Sequence, residues 1–220
     1  MKRIDRNSLE AALGLFEAFH DKEADFTFNT TALNVLMSAF SWKADVKNCI
    51  SLLDRSLKHD LNVDTDAFSF ALESVGKATK KLNNNRAKMS DYRYQSILDE
   101  FADAADRILT LFEKAKDKSG NALLPNHHFV QNYVEFLCSL GQVETATLVL
   151  TDFLAKYDET GAKIVDNKTL ARVAVANAEA GDIEMARKCL ASMSESLPYL
   201  EKKVDQLEAA TLRSELPYSD

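Results

Sequence analysis

The sequence predicts an all-α fold, a right-handed α-solenoid of stacked helix-turn-helix repeats of about 35–40 residues each. Two observations support this prediction. First, only six glycines and three prolines occur in 220 residues, fewer than the frequent turns of a β-sandwich or barrel require. Second, apolar residues recur at helical spacing along the chain, and no segment alternates strictly between apolar and polar residues. We therefore expect helices and no sheet.

A local pattern of small residues indicates where the repeats lie. Gly141 is followed five residues later by Ala146, and Gly181 by Ala186, and each alanine begins an apolar run at helical spacing. Ala44 has a position equivalent to the two glycines. Each of these three residues is expected to follow the first helix of a pair and to let the second helix turn back sharply. The alternative is a non-repetitive helical bundle.

Two columns of small or apolar residues set the register of the repeats. The column in the second helices contains Ala12, Cys49, Ile108, Ala146 and Ala186. The column near the start of each first helix contains Leu33, Phe68, Val130 and Leu170. Because a helix pair cannot bury its apolar face alone, stacked pairs are expected to bury both columns in one core.

This register divides the chain into one array of units. They are a half repeat at 9–29, repeats at 30–64, 65–126, 127–166 and 167–197, and a capping helix with a tail at 198–220. The half repeat contains a helix that follows Ser8, a good N-cap. The second repeat contains an insertion at 77–95 with six basic residues and one acidic residue between Lys77 and Arg93. We interpret this insertion as a loop between helices that end at Gly76 and resume at about Gln95.

Composition and motifs narrow the function. The net charge of −7 disfavours non-specific attraction to nucleic acid. Because no stretch approaches the roughly 20 apolar residues of a membrane span, we expect no membrane insertion and a soluble intracellular protein. Cys49, Cys138 and Cys189 are far apart and are interpreted as buried, reduced thiols.

No motif for catalysis, phosphate binding or metal binding occurs in the sequence. His127 and His128 are adjacent, so they diverge on a helix and do not match a metal site. Aromatic stripes at helical spacing favour core packing over base stacking; they contain Phe112, Tyr133, Phe136 and Phe153. We therefore expect a protein that is not an enzyme and has no cofactor and no metal.

The stretch "TTALNVLMSAFSWKADVKNCISLLDRSLKHDLNVD" at 30–64 resembles the repeat unit of the pentatricopeptide repeat family nearly throughout. It has Leu33-Asn34 near the start, a small residue before the second helix, "LL" in mid-helix and a terminal Asp64. The stretches "LEAALGLFEAF", "LCSLGQVETATLVLTDF" and "AEAGDIEMARKCLASM" match the unit in part, and "SGNALLPN" resembles its terminal turn. The resemblance covers about residues 9–195.

This resemblance implies binding of single-stranded RNA, one base per repeat. In the family, a polar residue near the start of the first helix and the last residue of the unit choose the base. The matching pairs here are Asn34 with Asp64, Ser69 with Asn126, and Gln131 with Asp166. The first resembles the uridine-reading pair and the second the adenine-reading pair, while the fourth unit offers only Ala171. The alternative interpretation is that these residues are ordinary helix caps.

The basic insertion is a second candidate contact, with an RNA or with a ribonucleoprotein surface. Its candidate residues are Lys80, Lys81, Arg86 and Lys88. The alternative is a solvated loop. The family resemblance implies a protein of the mitochondrial matrix that acts in transcript processing, stability or translation. The alternative function is a protein–protein scaffold, a subunit of a mitoribosomal or respiratory assembly that reads no bases.

Overall fold

The computed structural model describes residues 30–58, 62–158, 165–195 and 197–215. These residues form nine α-helices, and a single isolated β-bridge joins Lys116 to Ala122. The prediction of an all-α chain built from consecutive helix pairs is therefore confirmed. The predicted helix after Ser8, with Ala12, lies outside the described residues. The helices are α1 (Thr30–Lys43), α2 (Val46–Lys58), α3 (Thr65–Asn84), α4 (Asp91–Lys114), α5 (His127–Ser139), α6 (Val143–Asp158), α7 (Asn167–Glu179), α8 (Ile183–Ala191) and α9 (Pro198–Glu215).

The described residues form two compact units, which divide between Phe129 and Val130. In the first unit, α3 packs against α1, α2 and α4, and α1 also packs against α2. In the second unit, α7 packs against α6, α8 and α9, and α8 also packs against α9. The first helices α1, α3 and α7 thus each contact their own partner and a helix of an adjacent pair, which is the packing of a helical-repeat protein.

The two predicted columns lie in the core. Every described member is buried: Leu33, Phe68, Val130 and Leu170 from the first helices, and Cys49, Ile108, Ala146 and Ala186 from the second helices. In the second unit, Val130, Ala146 and Leu170 belong to one buried apolar cluster. The predicted burial of both columns is confirmed for the described residues.

The three predicted turn residues have the same backbone conformation. Ala44, Gly141 and Gly181 all have positive φ angles, of 60°, 76° and 91°. In each case the next residue donates its N–H to the carbonyl five residues earlier in the chain: Asp45 to Phe40, Gln142 to Leu137 and Asp182 to Asn177. This is a Schellman ending of the first helix, repeated three times in the same register. Gly141 and Gly181 have φ values that L side chains rarely adopt.

We expect Ala44→Gly to stabilise the protein. A non-glycine residue in the left-handed conformation costs about 1–2 kcal/mol, and the substitution removes this cost. Glycine loses more backbone entropy on folding, which destabilises by about 0.5–1 kcal/mol, so the expected net gain in stability is about 1 kcal/mol or less. Gly181→Ala should destabilise through the backbone alone, because a Cβ there meets nothing within 4 Å. The left-handed cost of about 1–2 kcal/mol for the alanine exceeds the roughly 0.5–1 kcal/mol of chain entropy that the substitution recovers. Urea denaturation followed by circular dichroism measures both changes. A loss of stability in Ala44→Gly would contradict this account.

The insertion at 77–95 is helical, and its interpretation as a loop was wrong. α3 continues through Gly76 to Asn84, a 3-10 turn covers Arg86–Lys88, and α4 already begins at Asp91. The helix continues because the apolar spacing continues: Val75, Ala78 and Leu82 are all buried. The second repeat therefore contains a long helical hairpin in place of a loop.

The three cysteines are free thiols, as predicted. Cys49 and Cys189 are buried and Cys138 is partly buried. Burial raises the pKa of Cys49 to about 12 and the pKa values of Cys138 and Cys189 to about 11. These thiols are therefore protonated at neutral pH and contribute to packing.

Candidate functional site

The first predicted pair, Asn34 and Asp64, is in direct contact. Asp64 precedes α3, and its Oδ1 caps that helix by accepting from the backbone N–H of Ala67 at 3.1 Å. Its Oδ2 accepts from Asn34 Nδ2 at 2.9 Å. One carboxylate thus serves both as a helix cap and as a partner of the asparagine. The cap fixes the carboxylate, so the acceptor for Asn34 is held in place before any ligand arrives.

The other half of the Asn34 amide is unused. Its Oδ1 is buried and has no hydrogen-bond partner in the described part of the chain. A buried acceptor without a partner costs about 1–3 kcal/mol. If the Asn34 side chain turns outward, it loses only its hydrogen bond to Asp64. Its Oδ1, which has no partner in the inward position, can then accept a hydrogen bond from a ligand.

Asn34 and Asp64 line a groove of about 260 Å³ between the N-terminal halves of α1 and α3. Val35 is exposed, and Phe70 is partly buried, so the groove offers apolar surface beside the amide and the carboxylates. Its complete lining is Thr30, Thr31, Asn34, Val35, Ser38, Asp64, Asp66 and Phe70. This combination can contact the face of a flat group and hydrogen-bond its edge.

The second predicted pair, Ser69 and Asn126, is also brought together, across the whole helical hairpin. Ser69 Oγ lies 3.3 Å from Asn126 Oδ1 and donates to the Thr65 carbonyl at 2.9 Å. Asn126 Oδ1 caps α5 by accepting from the N–H of Phe129 at 2.9 Å. Its Nδ2 donates to Asp66 at 2.7 Å. Because Ser69 is buried, this pair presents Asn126 and Asp66 to a ligand.

The third predicted pair, Gln131 and Asp166, has a different arrangement in the second unit. Asp166 caps α7 by accepting from the N–H of Thr169 at 2.8 Å. Gln131 Nε2 donates to Glu135 at 3.2 Å. No hydrogen bond joins Gln131 to Asp166 among the residues that the structure describes. The terminal residues of all three units are thus helix caps, and in two units they also contact the predicted partner.

Asp66 is a site residue that the sequence interpretation missed. It lines the groove and holds the Asn126 amide. An acid in the first turn of a helix is expected for the helix dipole alone, so its presence there carries no signal of a site.

The four basic candidates lie at the other end of α3. Lys80, Lys81, Arg86 and Lys88 are all exposed. Lys81 Nζ donates to the Lys43 carbonyl at the end of α1 at 2.8 Å, and the Arg86 guanidinium lies 4.7 Å from the centre of the Tyr94 ring. The basic residues therefore form part of an ordered hairpin at a distance from the groove.

The described residues contain no group of three or more His, Cys, Asp or Glu side chains able to hold a metal ion. No helix among them has both the length and the apolar character needed to cross a bilayer.

The helices and their packing define a helical-repeat protein. No family model matches the chain, and no curated protein matches it in sequence. Among solved structures, it is similar to the pentatricopeptide repeat protein PPR10 from maize, with 13% identity over 96% of this chain and a TM-score of 0.36. It is also similar to PPR10 in complex with an 18-nt psaJ RNA element, with 12% identity over 97% of this chain and a TM-score of 0.29. The chain spans 42% of the length of these structures.

Proposed function

We propose that this protein is a helical-repeat module that binds single-stranded RNA, with one base held in the groove of Asn34 and Asp64. The observation that carries the proposal is the contact between Asn34 and a carboxylate already fixed by its capping role, beside a groove with apolar surface. The groove is slightly smaller than the roughly 300–1,000 Å³ of pockets for drug-sized ligands, which suits a single base.

The chemistry of the pair favours uridine. An asparagine amide both donates and accepts, so it can bond a base edge that presents a carbonyl beside an N–H. The edges of uracil and guanine both have this pattern, and the single-ring uracil is the smaller of the two, which suits a groove of about 260 Å³. Turned outward, Asn34 Nδ2 would donate to the carbonyl and the unpaired Oδ1 would accept from the N–H. Val35 and Phe70 supply apolar contact to the ring.

The charges near the groove limit its affinity. Asp64 and Asp66 both line it, and the chain has a net charge of −7, so this end of the first unit repels phosphates. We propose that the exposed residues Lys80, Lys81, Arg86 and Lys88 supply the compensating phosphate contacts. Binding should therefore be strongest at low salt.

We propose a biological role from the family resemblance together with this chemistry. The protein acts in organellar, mitochondrial transcript processing, stability or translation, and it does so by binding and without catalysis. Ser69 with Asn126 and Gln131 with Asp166 are the corresponding contacts of the following repeats. Because Ser69 is buried, the second contact acts through Asn126.

We expect Asn34→Ala to weaken binding of oligouridine by about fivefold or more, since a bidentate side-chain contact to a base is worth about 1–3 kcal/mol. Asn48→Ala is the matched control. Asn48 Nδ2 donates to Asp45 at 2.8 Å, so this variant also removes an Asn–Asp bond in the same unit, away from the groove. Fluorescence anisotropy at low salt measures both affinities. Equal losses in the two variants would mean that Asn34 acts only through stability.

The scaffold alternative is favoured by a second cavity. A space of about 590 Å³ lies between the start of α2 and the middle of α3 and α4. Its apolar lining includes Val46, Ile50 and Phe101, all of them only partly buried. Absence of oligouridine binding by the unaltered protein at low salt, with a stoichiometric protein partner bound instead, is the result that would favour this alternative.

A further inference from the structure

We propose that the helical hairpin between α3 and α4 carries a second single-strand contact at its tip, where Tyr92 stacks on one unpaired base while Lys88 and Arg93 bind the adjoining phosphates. This inference rests on the proposed function in assuming an RNA ligand. It adds Tyr92 and Arg93, which the proposed function does not use, and it places the phosphate contact of Lys88 beside the stacked base. We call residues 79–103 the arm.

The arm extends beyond the helices that pack against its base. The starts of α1 and α3 are joined by Asn34 and Asp64, and the end of α1 is joined to α3 by Lys81. Because α1 has 14 residues and α3 has 20, α3 continues for about 9 Å past α1. On the other side of the hairpin, the first buried residue of α4 is Ala105, so about 20 Å of this helix precedes its buried part.

The tip of the arm is ordered by its own side chains. Tyr94 donates its hydroxyl to Asn83 at 2.8 Å, and its ring receives the guanidinium of Arg86. Ser90 caps α4, and Asn85 Nδ2 donates to the Lys81 carbonyl at 2.8 Å. A contact surface built on such a hairpin loses little conformational entropy on binding.

Tyr92 takes no part in this internal packing. Its side chain is 86% exposed, although it lies only two residues from Tyr94, which is partly buried. Lys88 and Arg93 are exposed on either side of it in sequence, and neither side chain forms an ion pair in the described part of the chain. The arm therefore presents one aromatic ring and two cations at its end, together with the exposed carboxylate of Asp91, which lies 3.9 Å from Arg86.

An exposed ring between cations fits single-stranded nucleic acid. Each base stacked on an aromatic side chain contributes about 1–3 kcal/mol, and the cations follow the backbone. The bases of a duplex are already stacked on one another, so an isolated ring gains nothing comparable there. An acidic protein surface would match the cations and leave the ring without a partner. The local charge is also suited to RNA, with six basic residues and one acidic residue between Lys77 and Arg93.

The tip and the groove are too far apart for one nucleotide to reach both. From Asp66 to Asn84 the chain follows α3 for 18 residues, about 27 Å. The two contacts should therefore act independently on short RNAs, and a long RNA that reaches both should gain from the raised effective concentration of the second contact.

Tyr92→Ala in the full chain tests the proposal. We expect it to weaken oligouridine binding by about 5- to 150-fold, the equivalent of about 1–3 kcal/mol for one stacked base. Tyr92→Phe keeps the ring and should bind like the unaltered protein. Tyr199→Ala is the matched control, because Tyr199 is 66% exposed and lies in α9 of the other unit. Fluorescence anisotropy with oligouridine and with an RNA duplex of equal length measures each affinity, and circular dichroism verifies folding.

The cations have a separate readout. The double variant Lys88→Gln with Arg93→Gln removes two phosphate contacts, so the slope of log K against log salt should fall by about 1.4 for a single strand. An unchanged slope would overturn the assignment of these residues.

Other outcomes separate this proposal from the proposed function. Loss of binding in Asn34→Ala with no loss in Tyr92→Ala overturns the arm contact alone. Loss of binding in Tyr92→Ala with no loss in Asn34→Ala supports the arm contact and overturns the base contact in the groove. Equal losses of duplex and single-strand binding in Tyr92→Ala would show a general polyanion surface and overturn the stacking role. If the unaltered protein binds no RNA at low salt, both proposals fail.

Discussion

Phe68→Ala should reduce the free energy of unfolding by about 3–5 kcal/mol, the range for removing a buried aromatic side chain. Phe68 is completely buried at the start of α3. Its ring meets Phe112 of α4 edge to face, with centroids 5.2 Å apart and an interplanar angle of 79°. Phe112 in turn stacks on Phe129 at 4.3 Å. The alanine variant therefore loses the transfer energy of the ring, leaves a cavity and removes one contact from a chain of three rings.

Phe70→Ala is the matched control for this prediction. Phe70 lies in the same helix but is only partly buried and lines the groove, so its removal should destabilise by clearly less. Urea denaturation followed by circular dichroism measures both variants. Equal losses of unfolding free energy in the two variants would show that the buried position of Phe68 contributes no more to stability than the partly buried position of Phe70.

The buried columns could be predicted from the sequence because they depend on local spacing. Leu33 and Phe68 occupy equivalent positions of first helices, and Cys49 and Ala146 of second helices, and all four are buried. A helix presents one face to its neighbours, so a spacing of three to four residues identifies that face without further information. The turn at Ala44 followed from the same register, although the sequence there does not contain the glycine that such a turn favours.

The arm could not be predicted because its local signals favoured a loop. Gly76 in a helix costs about 1 kcal/mol relative to alanine, and the basic run that follows has few apolar residues. The helix persists because Ala78, Thr79 and Leu82 are buried, and this burial outweighs the weak propensity. Burial of Thr79 depends on residues distant in sequence, which spacing alone does not reveal.

The candidate site was predicted in part. The pairing of Asn34 with Asp64 and of Ser69 with Asn126 came from the family resemblance, and the structure places both pairs in contact. The resemblance gave no indication that Ser69 is buried, because burial depends on how neighbouring repeats pack. Asp66 had an ordinary role as a first-turn acid, so its bond to Asn126 required the structure.

The second unit contains a buried polar link that should be as sensitive as the aromatic core. Asn177 of α7 is buried, and its Nδ2 donates to Thr147 Oγ1 of α6 at 2.9 Å and to the Val173 carbonyl at 3.0 Å. The Thr147 hydroxyl donates its own hydrogen to the Val143 carbonyl at 2.9 Å. Its oxygen therefore acts as an acceptor toward Asn177, and the asparagine faces two acceptors with its two N–H groups.

Asn177→Asp replaces that donor with a carboxylate of the same shape, and we expect it to destabilise the protein by about 3–5 kcal/mol, as for an uncompensated buried charge. Asn177→Leu separates the charge from the lost bonds. It leaves Thr147 bonded to Val143 and introduces no charge, so it should cost clearly less, about 1–3 kcal/mol. Thermal and urea denaturation at neutral pH give both values.

The pH dependence identifies the cause. An unfolded aspartate titrates near a pKa of about 3.9, and burial without a cation raises the pKa of the folded carboxyl above that value. Below about pH 3.9 the carboxyl is protonated in both states and can donate to the Val173 carbonyl, so the excess penalty of Asn177→Asp over Asn177→Leu should disappear. As the pH rises through that value, only the unfolded state ionises freely, and the penalty should grow. A difference between the two variants that does not change with pH would show that shape, rather than charge, decides the identity of residue 177.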